Sequence, residues 1–92
     1  MNIDDSARPR QRTEFSLETL DSELLLYDPE KTKTIYLNPT ASLIWQLSDG
    51  SRTVNEIISV LQESYPDASD NIPHDVATAL AEFAEHGAIE FD

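Results

Sequence analysis

His74 and His86 are the only side chains in this sequence that ordinarily titrate near neutral pH. They lie twelve residues apart at opposite ends of one predicted helix, about 18 Å apart by its rise, so they cannot share a metal ion or a proton. Glu82 and Glu85 make a carboxylate pair, but acid–base work needs a partly desolvated pair in a cleft, and these project toward the exposed side of that helix. The chain has no cysteine, which removes disulfides, thiolate metal sites and a cysteine nucleophile, and leaves the redox compartment unconstrained. Its only glycines, Gly50 and Gly87, cannot build a phosphate-cradling loop, and both read as helix stops. Serines and threonines lack a plausible base. The residues therefore describe a non-enzyme without cofactor or metal, and the chemistry left to it is recognition.

Charge narrows what can be recognised. Eighteen Asp and Glu oppose six Lys and Arg, for a formal net charge of -12. Arg8, Arg10 and Arg12 sit near the N-terminus, Lys31, Lys33 and Arg52 lie in or near turns, and no Lys or Arg follows Thr53. The last forty residues instead carry Glu56, Glu63, Asp67, Asp70, Asp75, Glu82, Glu85, Glu90 and Asp92. A nucleic-acid binder needs cations to displace phosphate counterions, so no nucleic-acid partner is expected. The acidic surface reads either as an aid to solubility or as an attraction for a basic partner. No stretch approaches the roughly 18 apolar residues of a membrane span and the N-terminus has no apolar signal region, so a soluble, cytoplasmic protein is expected.

Elements follow from periodicity. Residues 1–13 are polar and contain a proline, and they read as a disordered tail before one domain over residues 14–92. Glu14-Phe15-Ser16-Leu17-Glu18 alternates like a strand with one wet face. After a turn at Asp21-Ser22, Glu23-Leu24-Leu25-Leu26-Tyr27 reads as a more deeply covered strand. A second turn at Asp28-Pro29-Glu30-Lys31 leads to a third strand, Thr34-Ile35-Tyr36-Leu37. Asn38-Pro39 opens a helix, Ala41, Ile44, Trp45 and Ser48 give its buried stripe, and Gly50 is its left-handed stop. Thr53-Val54-Asn55-Glu56 is a capping box starting a second helix whose apolar face is Ile57, Ile58, Leu61 and Tyr65, closed by Pro66. Asn71 is the expected cap of a third helix, with Ile72, Val76, Leu80 and Phe83 facing the core, and Ala88 to Phe91 could add a short strand. The fold class is α+β and winged-helix-like, a three-stranded antiparallel sheet followed by three helices.

Two features could form a binding site. The outer strand carries neither proline nor an inward charge, so its edge is open to pairing with another chain. On the third helix, Ala77, Ala81 and Ala84 flank the core stripe, where small side chains either leave a shallow groove or simply fill helical positions with the best helix former. A helix-turn-helix DNA-binding regulator is the alternative the architecture suggests, and Asp75, Glu82 and Glu85 on the would-be recognition helix oppose it. Dimerisation through the same edge is a third reading.

The run Leu37-Asn38-Pro39-Thr40-Ala41 leading to Ile44-Trp45, then Asp49-Gly50-Ser51-Arg52-Thr53-Val54 leading to Glu56-Ile57, resembles the PqqD-like family. Tyr65, the Asp75-Val76 helix with Leu80, and the Gly87 exit toward Ile89 fit the same pattern, so the resemblance spans residues 14–92. Such proteins are RiPP recognition elements, small winged-helix domains that bind the leader of a ribosomally made precursor peptide. The resemblance implies that the leader adds a strand to Thr34, Ile35, Tyr36 and Leu37 and packs against Val76, Ala77, Leu80, Ala81 and Ala84. It also implies a separate modifying enzyme as partner, either a radical enzyme or a leader protease and cyclase.

Overall fold

The computed structural model describes residues 4–91. Asp21 and Ser22 both take positive φ, 51° and 69°, the geometry that lets a two-residue turn follow the twist of the strands it joins. That turn joins β2 (Ser16–Leu20) to β3 (Glu23–Asp28), and a longer turn leads on to β4 (Lys33–Leu37). The buried Asp28 organises the second turn, its Oδ1 accepting from the amides of Glu30 and Lys31 at 3.0 and 3.3 Å. The three strands form an antiparallel sheet in the order β2-β3-β4, with Leu26 opposite Ile35 and Leu25 opposite Tyr36. A separate two-stranded sheet pairs β1 (Pro9–Gln11) with β5 (Ile89–Phe91). Between the sheets' strands lie α1 (Pro39–Leu47), α2 (Val54–Ser64), a short 3-10 turn (Pro66–Ala68) and α3 (Ile72–Glu85). The architecture is thus α+β, a three-stranded antiparallel sheet followed by three helices.

Helix starts follow their side chains. Asn38 Oδ1 accepts from the Ala41 amide at 2.7 Å with Pro39 in the first helical position. At α2 the Thr53 hydroxyl accepts from the Glu56 amide while the Glu56 carboxylate accepts from the Thr53 amide, 3.1 and 2.8 Å, so the capping box is complete. The core joins one sheet face to all three helices: Leu26, Ile44, Trp45, Ile57, Leu61, Val76, Leu80 and Phe83 are buried together, each contributing about 1.5–3 kcal/mol of hydrophobic stabilisation.

Several sequence expectations need correction. The N-terminal segment is not a disordered tail where it is described: Pro9 is buried and β1 is paired along its length. Polar composition missed this because the segment is held by main-chain bonds rather than by its own apolar area. Residues 1–3 of that expected tail, and Asp92, lie outside the described residues. Gly50 does take φ of 85°, but the C-cap of α1 is Ser48, and Gly50 instead turns the chain so that its amide reaches Pro9 O at 2.9 Å. Tyr65 is exposed rather than part of the apolar face of α2. Asn71 makes no side-chain cap at α3.

Candidate functional site

In an antiparallel ladder each residue points its amide and carbonyl to the same side, and successive residues alternate sides. β4 pairs with β3 alone and closes one border of its sheet. Among the described residues no other main-chain hydrogen bond reaches Lys33, Thr34, Ile35, Tyr36 or Leu37, so every second residue of this strand presents an open donor and acceptor. Side chains alternate as well: Ile35 and Leu37 are half-buried against the core, whereas Thr34 and Tyr36 face out, Tyr36 at 65% exposure.

Two contacts place α3 beside this border. Lys33 Nζ donates to His86 O at 3.1 Å, tying the start of β4 to the end of α3. At the other end, Asn38, Thr40, Ala41 and Ile44 share a groove of about 320 Å³ with His74, Asp75, Thr78, Ala79 and Glu82. The groove lies between the start of α1 and α3, next to the residue that follows β4. A second recess of about 410 Å³ lies next to the strand end, between Ser22, Glu23, Leu24 and Tyr36, Leu37, Asn38, Pro39.

The residues expected to form the helix wall differ in exposure. Val76 and Leu80 have no exposed surface and belong to the core. Ala77 is exposed and Ala81 and Ala84 are half-buried, but by the 100° step they lie on the far flank of the buried stripe from Asp75, Ala79 and Glu82. The groove is lined by that second flank. Sequence periodicity defines both flanks and cannot say which one packs toward α1. The one available signal was Asn38, which ends the strand and caps α1, and so fixes which helices begin beside the edge.

Electrostatically the groove is one-sided. The ion pairs among the described residues, Arg10 with Glu90, Arg12 with Glu14 and Glu90, and Arg52 with Asp49, all lie away from it. Neither His74 nor His86 joins a metal-binding cluster, since among the described residues no three His, Cys, Asp or Glu side chains are grouped to hold an ion. No described helix is long and apolar enough to cross a membrane.

Fold and site define a small α+β domain with an open strand border flanked by a helix. The family model for "Coenzyme PQQ synthesis protein D (PqqD)" matches residues 23–89, and the chain belongs to that family. Among solved structures it is similar to "Lasso peptide synthetase B1 complexed with the leader peptide", 24% identical with a TM-score of 0.74, covering 90% of this chain and 98% of that one. It is also similar to "TbiB1 in Complex with the TbiA(beta) Leader Peptide", 18% identical with a TM-score of 0.72, covering 88% of this chain and 94% of the other. These likenesses bear on the fold. No curated protein matches the sequence.

Proposed function

We propose that this chain binds the leader region of a ribosomally synthesised precursor peptide and presents it to a separate modifying enzyme, making no covalent change itself. The observation that carries the reading is the unpaired border of β4 lying beside α3. Membership of the PqqD family and likeness to two proteins solved with leader peptides support it. The peptide adds as a strand. Thr34, Ile35, Tyr36 and Leu37 supply the main-chain pairing, and the helix wall is the flank carrying Asp75, Thr78, Ala79 and Glu82 rather than the alanine flank.

Magnitudes suit a transient carrier. Two or three outward residues offer four to six main-chain bonds, each worth about 0.5–1.5 kcal/mol net. One or two apolar anchors in the recesses add about 1.5–3 kcal/mol each, and ordering the peptide offsets much of the sum. The resulting affinity is moderate, which lets an enzyme take over the substrate. The enzyme is a radical enzyme or a leader protease and cyclase, working in the cytoplasm where a ribosomal precursor first appears.

The test uses synthetic leader segments of precursor peptides encoded beside this gene, labelled for fluorescence anisotropy. Because adjacent residues point opposite ways, one of Ile35→Pro and Tyr36→Pro removes an amide facing β3 and destabilises the sheet, and the other removes an outward amide. The second variant stays folded by circular dichroism and loses binding at least tenfold. Undiminished binding by both variants, each folded, rules out the β4 border as the docking site.

A further inference from the structure

We infer that the peptide captured at this border lays a bulky apolar side chain, aromatic or β-branched, beside the ring of Tyr36 on the outer face of the sheet. The inference rests on the peptide-binding reading above and adds which residues pair and what they select. The phase of the ladder comes first. Asp21 and Ser22 make a two-residue turn, so Leu20 and Glu23 close it as a hydrogen-bonded pair. Bonded and non-bonded pairs alternate from there, which turns the main chain of Glu23, Leu25 and Tyr27 toward β2 and that of Leu24, Leu26 and Asp28 toward β4. The partners of the latter three on β4 are Leu37, Ile35 and Lys33. Thr34 and Tyr36 are therefore the two residues whose amides and carbonyls point out of the border.

The same two residues carry exposed side chains on the outer face. A strand that pairs with Tyr36 shares its pleat, so the peptide residue opposite lays its own side chain on that face. The face is apolar there. Leu20 and Tyr36 are two of the three large hydrophobic side chains exposed among the described residues. Leu25, flanked across the ladder by Glu18 and Tyr36, is buried without belonging to the core cluster. A recess of about 300 Å³ lies between Leu20, Leu25, Tyr27, Thr34 and Tyr36. Tyr36 belongs to this recess and to the border at once, so an added strand continues the apolar face. Aromatic–aromatic and aromatic–β-branched neighbours are the favourable cross-strand pairs, and a small polar side chain leaves the ring as exposed as before.

The test begins with amide hydrogen exchange followed by NMR on the full chain. The Thr34 and Tyr36 amides exchange fast and that of Ile35 slowly, and protection spreads to the first two when peptide binds. Dodecapeptides are selected on the full chain from a random phage-displayed library, and the tightest is made as a labelled synthetic peptide. Replacing its residues one at a time by alanine reveals one aromatic or β-branched position whose loss weakens binding about fivefold. The same replacement costs nothing further on Tyr36→Thr, which keeps a strand-forming residue and removes the ring. Binding that is lost on folded Tyr36→Pro, with no position coupled to the ring, overturns this inference and leaves strand addition standing. Reversed protection of Ile35 and Tyr36, or binding lost through Ile35→Pro alone, overturns the phase and the inference with it. Self-association in light scattering that Tyr36→Thr abolishes, with peptide affinity unchanged, gives the face to a second copy of the chain and overturns the inference too. Undiminished binding to both folded proline variants, or a library that yields no binder, overturns strand addition and this inference together.

Discussion

Two borders of this molecule, β1 and β4, are short strands at the rims of small sheets, and they are finished in opposite ways. β1 pairs with β5 on one side. On the other it meets the segment after α1, with Gln11 N donating to Ser48 O at 2.8 Å, Gly50 N to Pro9 O at 2.9 Å, and a bridge between Arg10 and Asp49. The same N-terminal segment seals the start of α2: Val54 N donates to Ala7 O and Asn55 N to Asp5 O, 2.9 and 3.0 Å, before the capping box takes the remaining amides. Among the described residues nothing equivalent is found at β4, nor does the Asn71 side chain cap α3. Pro-Arg-Gln, poor strand residues, are ordered because main-chain partners hold the strand on both sides. Lys-Thr-Ile-Tyr-Leu, good strand residues, are left with half their groups open. Strand propensity thus says little about where pairing is complete, and the open border is the one fit for capture.

Removing residues 1–12 tests the sealed side most severely. It deletes partners of Ser48, Gly50, Val54, Asn55 and Ala88 together with the β5 ladder. At about 0.5–1.5 kcal/mol for each of five net bonds, the loss is several kcal/mol, a large share of the roughly 5–15 kcal/mol that holds a domain together. Urea unfolding should show the shortened chain largely unfolded or with a midpoint far below the parent. A midpoint close to the parent's would mean that the segment merely rests on the surface.

The open side is probed by placing a charge on either flank of α3. Thr78→Glu puts a carboxylate where the peptide passes and weakens binding about tenfold. Ala77→Glu, exposed on the far flank, leaves it unchanged. The reverse ranking in anisotropy titrations would return the wall to the alanine flank. Next in size, Thr53→Ala breaks the capping box on the sealed side and lowers stability by about 1 kcal/mol, read from the urea midpoint, with peptide affinity retained.

How much of this could be read from the sequence depended on whether the cause was local. The three-strand meander, the Asp21-Ser22 turn, the Asn38 and Thr53 caps and the buried stripe of Ile72, Val76, Leu80 and Phe83 are set by neighbours within a few residues, and periodicity and capping rules expose them. The β4 border was legible for the same reason, through what its residues lack. The N-terminal clasp was not, because Pro9 and Gly50, or Arg12 and Ala88, are joined across long separations by main-chain atoms that carry no residue signature. Which flank of α3 turns toward the β4 border is not legible for a related reason: it depends on how α3 is rotated against its neighbours, which a helical wheel does not give.

The smallest effect expected lies in the carboxylate that completes the seal at α2. Hydrogen bonds from the Thr53 amide and then its hydroxyl, with Arg8 and Arg52 nearby, hold the Glu56 carboxyl below its ordinary value of 4.5. A carboxyl whose folded value is depressed stabilises the fold fully above its unfolded value, and the contribution disappears as pH falls through the folded one. Glu56→Gln retains an oxygen able to accept from the Thr53 amide but loses the charge, so it isolates the titrating part of the cap. The parent should therefore unfold at slightly higher urea than Glu56→Gln above about pH 4.5, the gap narrowing to nothing at lower pH. A gap that persists unchanged at pH 2 would mean that glutamine disturbs the cap sterically, and that charge contributes nothing to closing this side of the molecule.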